Sequence, residues 1–295
     1  MTAASEAEFI RIDTQRVVYR EAGEFLLDTA PVNGPVAEIG VGRAFEIMRR
    51  QVTRGEYDRC VAAGRCAPAE GPPAPDMPVV GVNFDDALAY AVWLSEMTGV
   101  TYRLPTDQEW AIAAGSRYAD DGYGISDDPK NPAIRWLSRY EAEAAKSRAS
   151  DSVLRPAGAF GANEHGLLDL SGNVWEWTST CFSRQATDSR TGEWDRNENC
   201  GVRVAEGAHR AYLSSFIRDP RSGACSVGIP PDNLGIRLVR AKSLPPLEQF
   251  RPGLNFILCR GAAATSNRNS RRPSMRWAPA PSLLLGRMQT AWKLP

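Results

Sequence analysis

Polar and apolar positions repeat with the period of a helix in several short segments of the chain. In one of them, Thr53 and Glu56 form a capping box, in which each side chain accepts a hydrogen bond from a free backbone amide at the helix start. Gly64 is a typical helix end, so a helix is predicted from about Arg54 to Ala63. A later segment, Leu137 to Ala149, is rich in Ala, Glu, Lys and Arg and predicts a solvent-facing helix.

Two further helices are predicted between these segments. Asp85 is expected to cap a helix that ends at Gly99. Its core-facing stripe is predicted at Leu88, Ala91, Val92 and Ser95. A second capping box, Thr106 with Glu109, predicts a helix that ends at Gly115. The apolar positions of that helix are Trp110, Ala113 and Ala114.

The remaining apolar runs are short and are separated by Gly, Pro, Asn and Asp. Strand-like pieces are predicted at Ala44 to Met48, Pro78 to Val82 and Leu234 to Val239. Few helices, short strands and much irregular loop favour an α+β domain over a doubly wound sheet. The sequence contains no GxGxxG, GxxxxGK[ST], GxSxG or HExxH string, so common nucleotide-binding and hydrolase signatures are missing.

Composition excludes several classes of protein. The chain has 295 residues, 43% of them hydrophobic, and its 35 basic and 35 acidic residues balance, so no nucleic-acid partner is expected. No apolar run approaches the ~20 residues that span a bilayer, so no membrane span is predicted. The first residues of the chain are polar and acidic, so the sequence predicts no signal peptide and favours a cytoplasmic location. The two histidines, His165 and His209, cannot form a centre that needs three imidazoles.

Charge is distributed unevenly along the chain. Residues 241–295 contain nine Lys or Arg and one acid, a net charge of +8, whereas residues 1–240 contain 26 basic and 34 acidic residues, a net charge of −8. This composition break predicts a folded domain over residues 1–240. It also predicts a basic, Pro- and Ala-rich C-terminal extension over residues 241–295, loosely ordered.

Five strings, in order along the chain, resemble motifs of the formylglycine-generating-enzyme (sulfatase-modifying factor) superfamily. They lie at residues 45–57, 77–87, 102–110, 166–177 and 233–237. The resemblance covers about residues 20 to 240 and implies that superfamily's variant of the C-type lectin fold. It implies less about chemistry, because one fold hosts unrelated functions.

The string Gly172-Asn-Val-Trp-Glu-Trp177 has two interpretations. From the residues alone, it predicts a tight turn and a strand whose two tryptophans face the core. The resemblance implies a calcium site, with carboxylate ligands from Asp169 and Glu176 and carbonyl ligands from Gly172 and Val174. Such hard oxygen ligands suit Ca²⁺. A second calcium site of the family has no clear match in this sequence.

The resemblance breaks down where the family's oxidase binds copper through a pair of cysteines. The first cysteine falls on Leu213, Ser214 or Ser215, and the second on Arg218 or Asp219. None of these residues supplies the thiolate that soft Cu(I) requires. No copper site of the family type, and no formylglycine formation by that mechanism, is therefore expected.

Residues 200–240 most resemble a branch of the superfamily that accompanies copper nitrite reductase in denitrification, the NirV type. This resemblance implies an accessory or maturation protein that supports a redox partner such as copper nitrite reductase. Two alternatives stay open: an oxidoreductase that uses an unidentified metal in the same cleft, and a lectin-like ligand-binding domain.

Polar residues near this break are candidates for a ligand cleft. They are His209, Ser214, Ser215, Arg218 and Arg221, whose cations would attract an anionic ligand. The serines lack a recognisable base partner. Arg237, in the last string, is expected to bond loop carbonyls instead.

The spacing of four cysteines suits two disulfides, Cys60 with Cys66 and Cys181 with Cys200. Reduced buried thiols are the alternative in a cytosolic protein. Pairing would favour an oxidising compartment such as the periplasm. No paired histidines or CxxC string indicates zinc.

Overall fold

A computed structural model shows how these segments are arranged. It describes residues 7–71, 73–121, 152–192, 194–222 and 231–240, with single helical positions between 134 and 145. The helices are α1 (Arg54–Ala62), α2 (Phe84–Thr98) and α3 (Asp107–Ala114). The strands are β1 (Phe9–Ile12), β2 (Arg16–Arg20), β3 (Glu24–Leu27), β4 (Ala30–Val32), β5 (Val36–Gly40), β6 (Phe45–Met48), β7 (Tyr102–Arg103), β8 (Trp175–Thr187), β9 (Trp194–Glu206), β10 (Ala211–Ser214), β11 (Leu234–Gly235) and β12 (Val239–Arg240). Few helices, mostly short strands and long irregular segments confirm the predicted α+β class, although β8 and β9 are longer, with 13 residues each.

The strands form three sheets. The largest has the order β10-β9-β8-β3-β4, with β11 pairing parallel to β8. A second sheet has the order β1-β6-β12-β7, and β2 and β5 form a separate two-stranded ribbon. The long antiparallel pair of β8 and β9 therefore lies at the centre of the largest sheet.

The two capping boxes are confirmed. Thr53 accepts from the amide of Glu56 and starts α1, and Thr106 accepts from the amide of Glu109 and starts α3. The helical positions described between 134 and 145 are exposed or half-buried, in agreement with a solvent-facing helix there.

The prediction for α2 is wrong in two respects. Asn83, not Asp85, is the N-cap, because Asn83 and Asp86 form a third capping box. The predicted stripe includes Val92, which is 42% exposed. The buried face instead carries Phe84, Asp86, Ala87, Tyr90, Ala91 and Trp93. The three aromatic side chains, Phe84, Tyr90 and Trp93, turn this face of the helix to the core.

Two of the predicted strands are also corrected. The segment Pro78 to Val82 makes only an isolated bridge, between Pro78 and Thr53. The segment Leu234 to Val239 is split into β11 and β12, because its middle residues pair outside the sheets: Ile236 accepts from the amide of Val52. The predicted strand at Ala44 to Met48 is present as β6.

The two faces of β8 contact different helices. Trp177 packs edge-on against Phe84 of α2, with ring centroids 5.9 Å apart. The neighbouring residue, Glu176, accepts a hydrogen bond from the indole of Trp110 on α3. Alternate residues of a strand point to opposite faces, so β8 separates an apolar core beneath α2 from a region beneath α3 that contains buried charges.

The chain divides into two units, Met1–Leu247 and Glu248–Pro295. The described residues belong to the first unit. The predicted extension, residues 241–295, lies outside the described residues, and its order stays a prediction. Within the described part of the chain, no helix is long and apolar enough to cross a membrane.

Candidate functional site

The end of β10 and the segment after it contain the positions at which the resemblance places the family's cysteine pair. Leu213 and Ser214 end the strand and are buried. The amide of Ser215 donates to the carbonyl of Gly201, and its carbonyl accepts from the amide of Phe84, both at 2.9 Å. Backbone contacts therefore hold these three positions between β9 and the start of α2.

Arg218 ties the same segment to α2. Its guanidinium bonds the Asp86 carboxylate at 2.8–2.9 Å and the Pro68 carbonyl at 2.8 Å. Asp86 also accepts from the amide of Asn83. Burial raises the pKa of the Asp86 carboxyl above its usual value, while Arg218 acts in the opposite direction. Since Arg218 already has a carboxylate partner, it acts mainly as an anchor for this segment.

An open pocket of about 310 Å³ lies beside this anchor. Its polar lining includes Glu70, Arg218, Asp219, Arg221, Asp232 and Asn233. Arg221 bonds the Asp232 carbonyl through Nε at 3.1 Å, and its two terminal nitrogens bond no described residue. The lining therefore combines one available guanidinium with carboxylates, whereas the sequence predicts a cleft whose cations attract an anionic ligand.

The structure brings together only part of the predicted cleft. Arg218 and Arg221 line the pocket, but His209 and Ser214 do not. His209 is buried, and its ring packs edge-on against Trp175 at 5.1 Å. Ser214 is buried within β10. Ser215 is also absent from the pocket lining.

Glu176 is the centre of a buried ionic network under α3. Its carboxylate accepts from Arg237 at 2.9–3.0 Å, from the Trp110 indole at 2.7 Å and from Gln51 at 2.8 Å. Arg237 is fully buried and also donates to three backbone carbonyls, that of Met48 at the end of β6 and those of Arg49 and Leu168 in loops. This confirms the prediction that Arg237 is a structural arginine.

Most of the predicted calcium ligands accept hydrogen bonds from other groups of the protein. The Asp169 carboxylate accepts from the amides of Gly158 at 2.6 Å and Phe160 at 2.8 Å. The carbonyl of Gly172 accepts from the amide of Val174. Both predicted carboxylates thus have protein donors, and the residues present do not offer an open set of oxygens for Ca²⁺. Among the described residues, no group of three or more His, Cys, Asp and Glu side chains suits a metal ion.

Two disulfides link the same cysteine pairs that the spacing suggests. Cys60 and Cys66, with Cα atoms 5.3 Å apart, join the end of α1 to the loop that follows it. Cys181 and Cys200, with Cα atoms 4.5 Å apart, join β8 to β9. The cysteines that the structure describes are therefore all disulfide-bonded.

A second buried ionic network surrounds Arg210 and was not predicted. Arg210 donates to Glu206 at 2.9 Å, to the Tyr118 hydroxyl at 2.6 Å and to the Arg20 carbonyl at 2.8 Å. Asp107 and Asp121 lie 3.7 and 3.5 Å from its guanidinium. Glu206 lies four residues before Arg210, but the other partners come from distant parts of the chain, so no local sequence signal could have found them.

Comparison with known proteins agrees with this architecture. A family model described as a sulfatase-modifying factor enzyme 1-like domain matches residues 3–242. An inactive C-alpha-formylglycine-generating enzyme 2 of Bos taurus is 30% identical over 181 residues, 59% of this chain and 53% of the relative. A formylglycine-generating enzyme of Mycobacterium tuberculosis is 42% identical over 110 residues, 36% of this chain and 34% of the relative. The chain thus spans about half or less of these two relatives.

Two further matches have other names. The chaperone protein LppX of Paenibacillus barcinonensis is 30% identical over 169 residues, 54% of this chain and 56% of the relative. The solved structure of PvdO from Pseudomonas aeruginosa is 20% identical, with a TM-score of 0.47, over 79% of this chain and 94% of that one. Because the family model covers most of the chain, the chain belongs to the sulfatase-modifying factor enzyme 1-like family, the superfamily of formylglycine-generating enzymes.

Proposed function

We propose that this chain is an accessory, ligand- or peptide-binding member of the superfamily and does not itself generate formylglycine. The observation that carries this proposal is Arg218. The family resemblance places the second copper-binding cysteine at Arg218 or Asp219, and the guanidinium of Arg218 is held by Asp86 and by the Pro68 carbonyl. A guanidinium cannot bind Cu(I) as a thiolate does.

The proposed binding site is the pocket beside Arg218. Its volume of about 310 Å³ lies within the range that small ligands and short side chains occupy. Arg221 offers terminal N–H donors to a carboxylate, and the exposed Glu70 carboxylate offers an acceptor. A lining of both signs favours a peptide segment with its own acceptors and donors over a simple anion.

The proposed role is the maturation or support of a redox partner, with copper nitrite reductase as the first partner to test. Relatives named an inactive enzyme and a chaperone support a non-catalytic role. Two disulfides favour an oxidising compartment, which corresponds to the periplasmic alternative.

Two measurements test the proposal. First, the protein is incubated with copper, oxygen and a sulfatase-type cysteine peptide, and mass spectrometry is expected to detect no formylglycine; stoichiometric conversion would overturn the proposal. Second, binding to purified copper nitrite reductase is measured for the wild type and for R221Q. We expect weaker binding by R221Q and unchanged binding by R16Q, a control in which the lost arginine is surface-exposed on β2. If the wild type does not bind copper nitrite reductase, this enzyme is excluded as the partner.

The oxidoreductase and lectin-like alternatives are tested separately. Elemental analysis of the purified protein and a measurement of its oxygen uptake test the oxidoreductase alternative. Binding to a ligand array tests the lectin-like alternative.

A further inference from the structure

The disulfide between Cys181 and Cys200 lies where the ladder of β8 and β9 is interrupted. Trp177 pairs with Ala205 and Cys181 with Arg203, but the next residue, Phe182, pairs with Asn199. The register therefore shifts on both sides of Cys181, and each strand has residues that bulge out of the ladder. The covalent link thus holds the two strands together where backbone pairing is locally lost.

The two disulfides differ in accessibility. Cys60 is 0% exposed and Cys66 is 9% exposed, so no external thiol can reach their sulfur atoms without local unfolding. Cys200, in contrast, is exposed and Cys181 is half-buried. An incoming thiolate can therefore reach Cys200 more easily than Cys181 in the folded protein.

A cation lies against the less exposed sulfur. Nη1 of Arg203 is 3.0 Å from Sγ of Cys181 and 2.7 Å from the Ser179 carbonyl. The guanidinium stacks over the Phe84 ring, 4.2 Å from its centroid. Its Nε is buried without a hydrogen-bond partner. No carboxylate of a described residue forms an ion pair with Arg203, although its charge is partly buried.

We propose that Cys181–Cys200 is a thiol-exchange site, at which a dithiol attacks Cys200 and Cys181 leaves as a thiolate stabilised by Arg203. A positive charge beside a sulfur lowers the pKa of the thiol, and a thiol of lower pKa leaves faster. Reduction places a thiolate within hydrogen-bond distance of Arg203. In the oxidised protein Arg203 forms no ion pair with a described carboxylate, and only the longer-range attraction of Asp85 acts on its charge. This inference does not depend on the proposed function of the pocket.

The exchange balances as two successive displacements. A thiolate of the dithiol attacks Sγ of Cys200, the bond between the two protein sulfurs breaks, and its electron pair goes to Sγ of Cys181. The second thiolate of the reagent then attacks the reagent sulfur of the mixed disulfide. This step closes the disulfide of the oxidised reagent and releases Cys200 as a thiolate. The dithiol loses two electrons and two protons, and the protein gains two thiols.

The test uses the full chain and dithiothreitol. Free thiols are first blocked with N-ethylmaleimide, the protein is then reduced for timed intervals under native conditions, and new thiols are alkylated with iodoacetamide and identified by mass spectrometry. We expect Cys181 and Cys200 to be reduced faster than Cys60 and Cys66 by about tenfold or more, since exchange rates follow access and thiolate stability. Equal rates for the two disulfides would overturn the proposal.

Two further readouts test the direction of attack and the role of Arg203. Glutathione, a monothiol, should leave its adduct on Cys200; an adduct mainly on Cys181 contradicts the proposal. In the reduced protein, the pH midpoint for alkylation of Cys181 should rise by about one unit in R203Q, because the cation is lost. R203K, which keeps a cation, should stay close to the wild type, as should R196Q, a matched control on β9. An unchanged midpoint in folded R203Q would exclude a role for Arg203, and the adduct position in the wild type tests the site even if R203Q does not fold.

Discussion

Glu176 on β8 and Glu206 on β9 are direct partners across the antiparallel strand pair, and both are completely buried. Side chains of directly opposed residues share one face of a sheet, so two carboxyl groups meet there. Each glutamate has its own arginine, Arg237 for Glu176 and Arg210 for Glu206, both at 2.9 Å. The two pairs differ in one respect: Oε2 of Glu206 has no hydrogen-bond partner, whereas both oxygens of Glu176 are bonded.

The first prediction concerns the Glu176 pair. E176Q leaves the Arg237 charge buried and without its counter-ion, so we expect the free energy of unfolding to fall by ~3–5 kcal/mol. Chemical denaturation measures this loss. E38Q is the control, because Glu38 forms a largely exposed pair with Arg16 and should change stability by only ~0–1 kcal/mol. Equal effects of the two substitutions would contradict the assigned importance of the buried pair.

The second prediction concerns the pH dependence of stability. Burial raises the pKa of Glu206 to about 8, although Arg210 beside it acts in the opposite direction. An unfolded glutamate titrates near ~4.3. Between these two values the folded chain holds a proton that the unfolded chain has lost, so the contribution of Glu206 to stability is complete at low pH and is lost as pH rises through about 8.

E206Q tests this dependence because glutamine does not titrate. Thermal unfolding of the wild type and of E206Q is compared from about pH 5 to about pH 8, the range bounded by the two pKa values. We expect the wild type to lose stability relative to E206Q as pH rises. Parallel curves would show that Glu206 keeps an ordinary pKa. Asp107 and Asp121 also lie close to the Arg210 guanidinium. The thermal unfolding of D107N over the same pH range is therefore measured as a comparison within this network.

Local signals explain which parts of the fold the sequence predicts. The capping boxes at Thr53 and Thr106 involve residues only three positions apart, and both predicted helices are present. The buried face of α2 depends on the core against which the helix packs, so the stripe that included Val92 was wrong. In the same way, the partners of Arg210 other than Glu206 lie far from it in the chain, and periodicity carries no information about such contacts.

The candidate site was predicted in part for the same reason. Arg218 and Arg221 are close in sequence and line one pocket. His209 does not line this pocket, because it lies in the bend between β9 and β10 and packs against Trp175. The Asp86 partner of Arg218 could not be predicted, since it belongs to α2 and its role depends on tertiary contact.

The third prediction concerns calcium. The family resemblance implies an ion at Asp169 and Glu176, whereas the structure gives both carboxylates protein donors. We therefore expect chelation followed by dialysis to leave the melting temperature unchanged. Calcium content by elemental analysis and melting with added Ca²⁺ are measured on the same samples. A calcium-dependent rise in melting temperature that is lost in D169N would support the family's site instead.

The last prediction concerns the C-terminal boundary. β12 lies between β6 and β7, where Val239 pairs with Ile47 and Arg103. Arg240 adds an ion pair with Glu46 and stacks over the Phe9 ring, 4.3 Å from its centroid. Residues 236–240 therefore supply the strand that joins β6 to β7 in the second sheet. They also supply Arg237, which neutralises Glu176.

Two truncations separate the contribution of this strand from that of the extension. We expect deletion of residues 245–295 to leave the melting temperature nearly unchanged, because a loosely ordered segment with few packed apolar positions cannot offset its ordering entropy. Exposed ion pairs between a +8 extension and a −8 body would add only ~0–1 kcal/mol each and would be screened by salt. Deletion of residues 236–295 removes Arg237 and β12, and this variant should fail to fold. If the shorter deletion also unfolds the protein, or lowers its melting temperature by several degrees, the extension is part of the folded domain and the boundary at residue 240 is wrong.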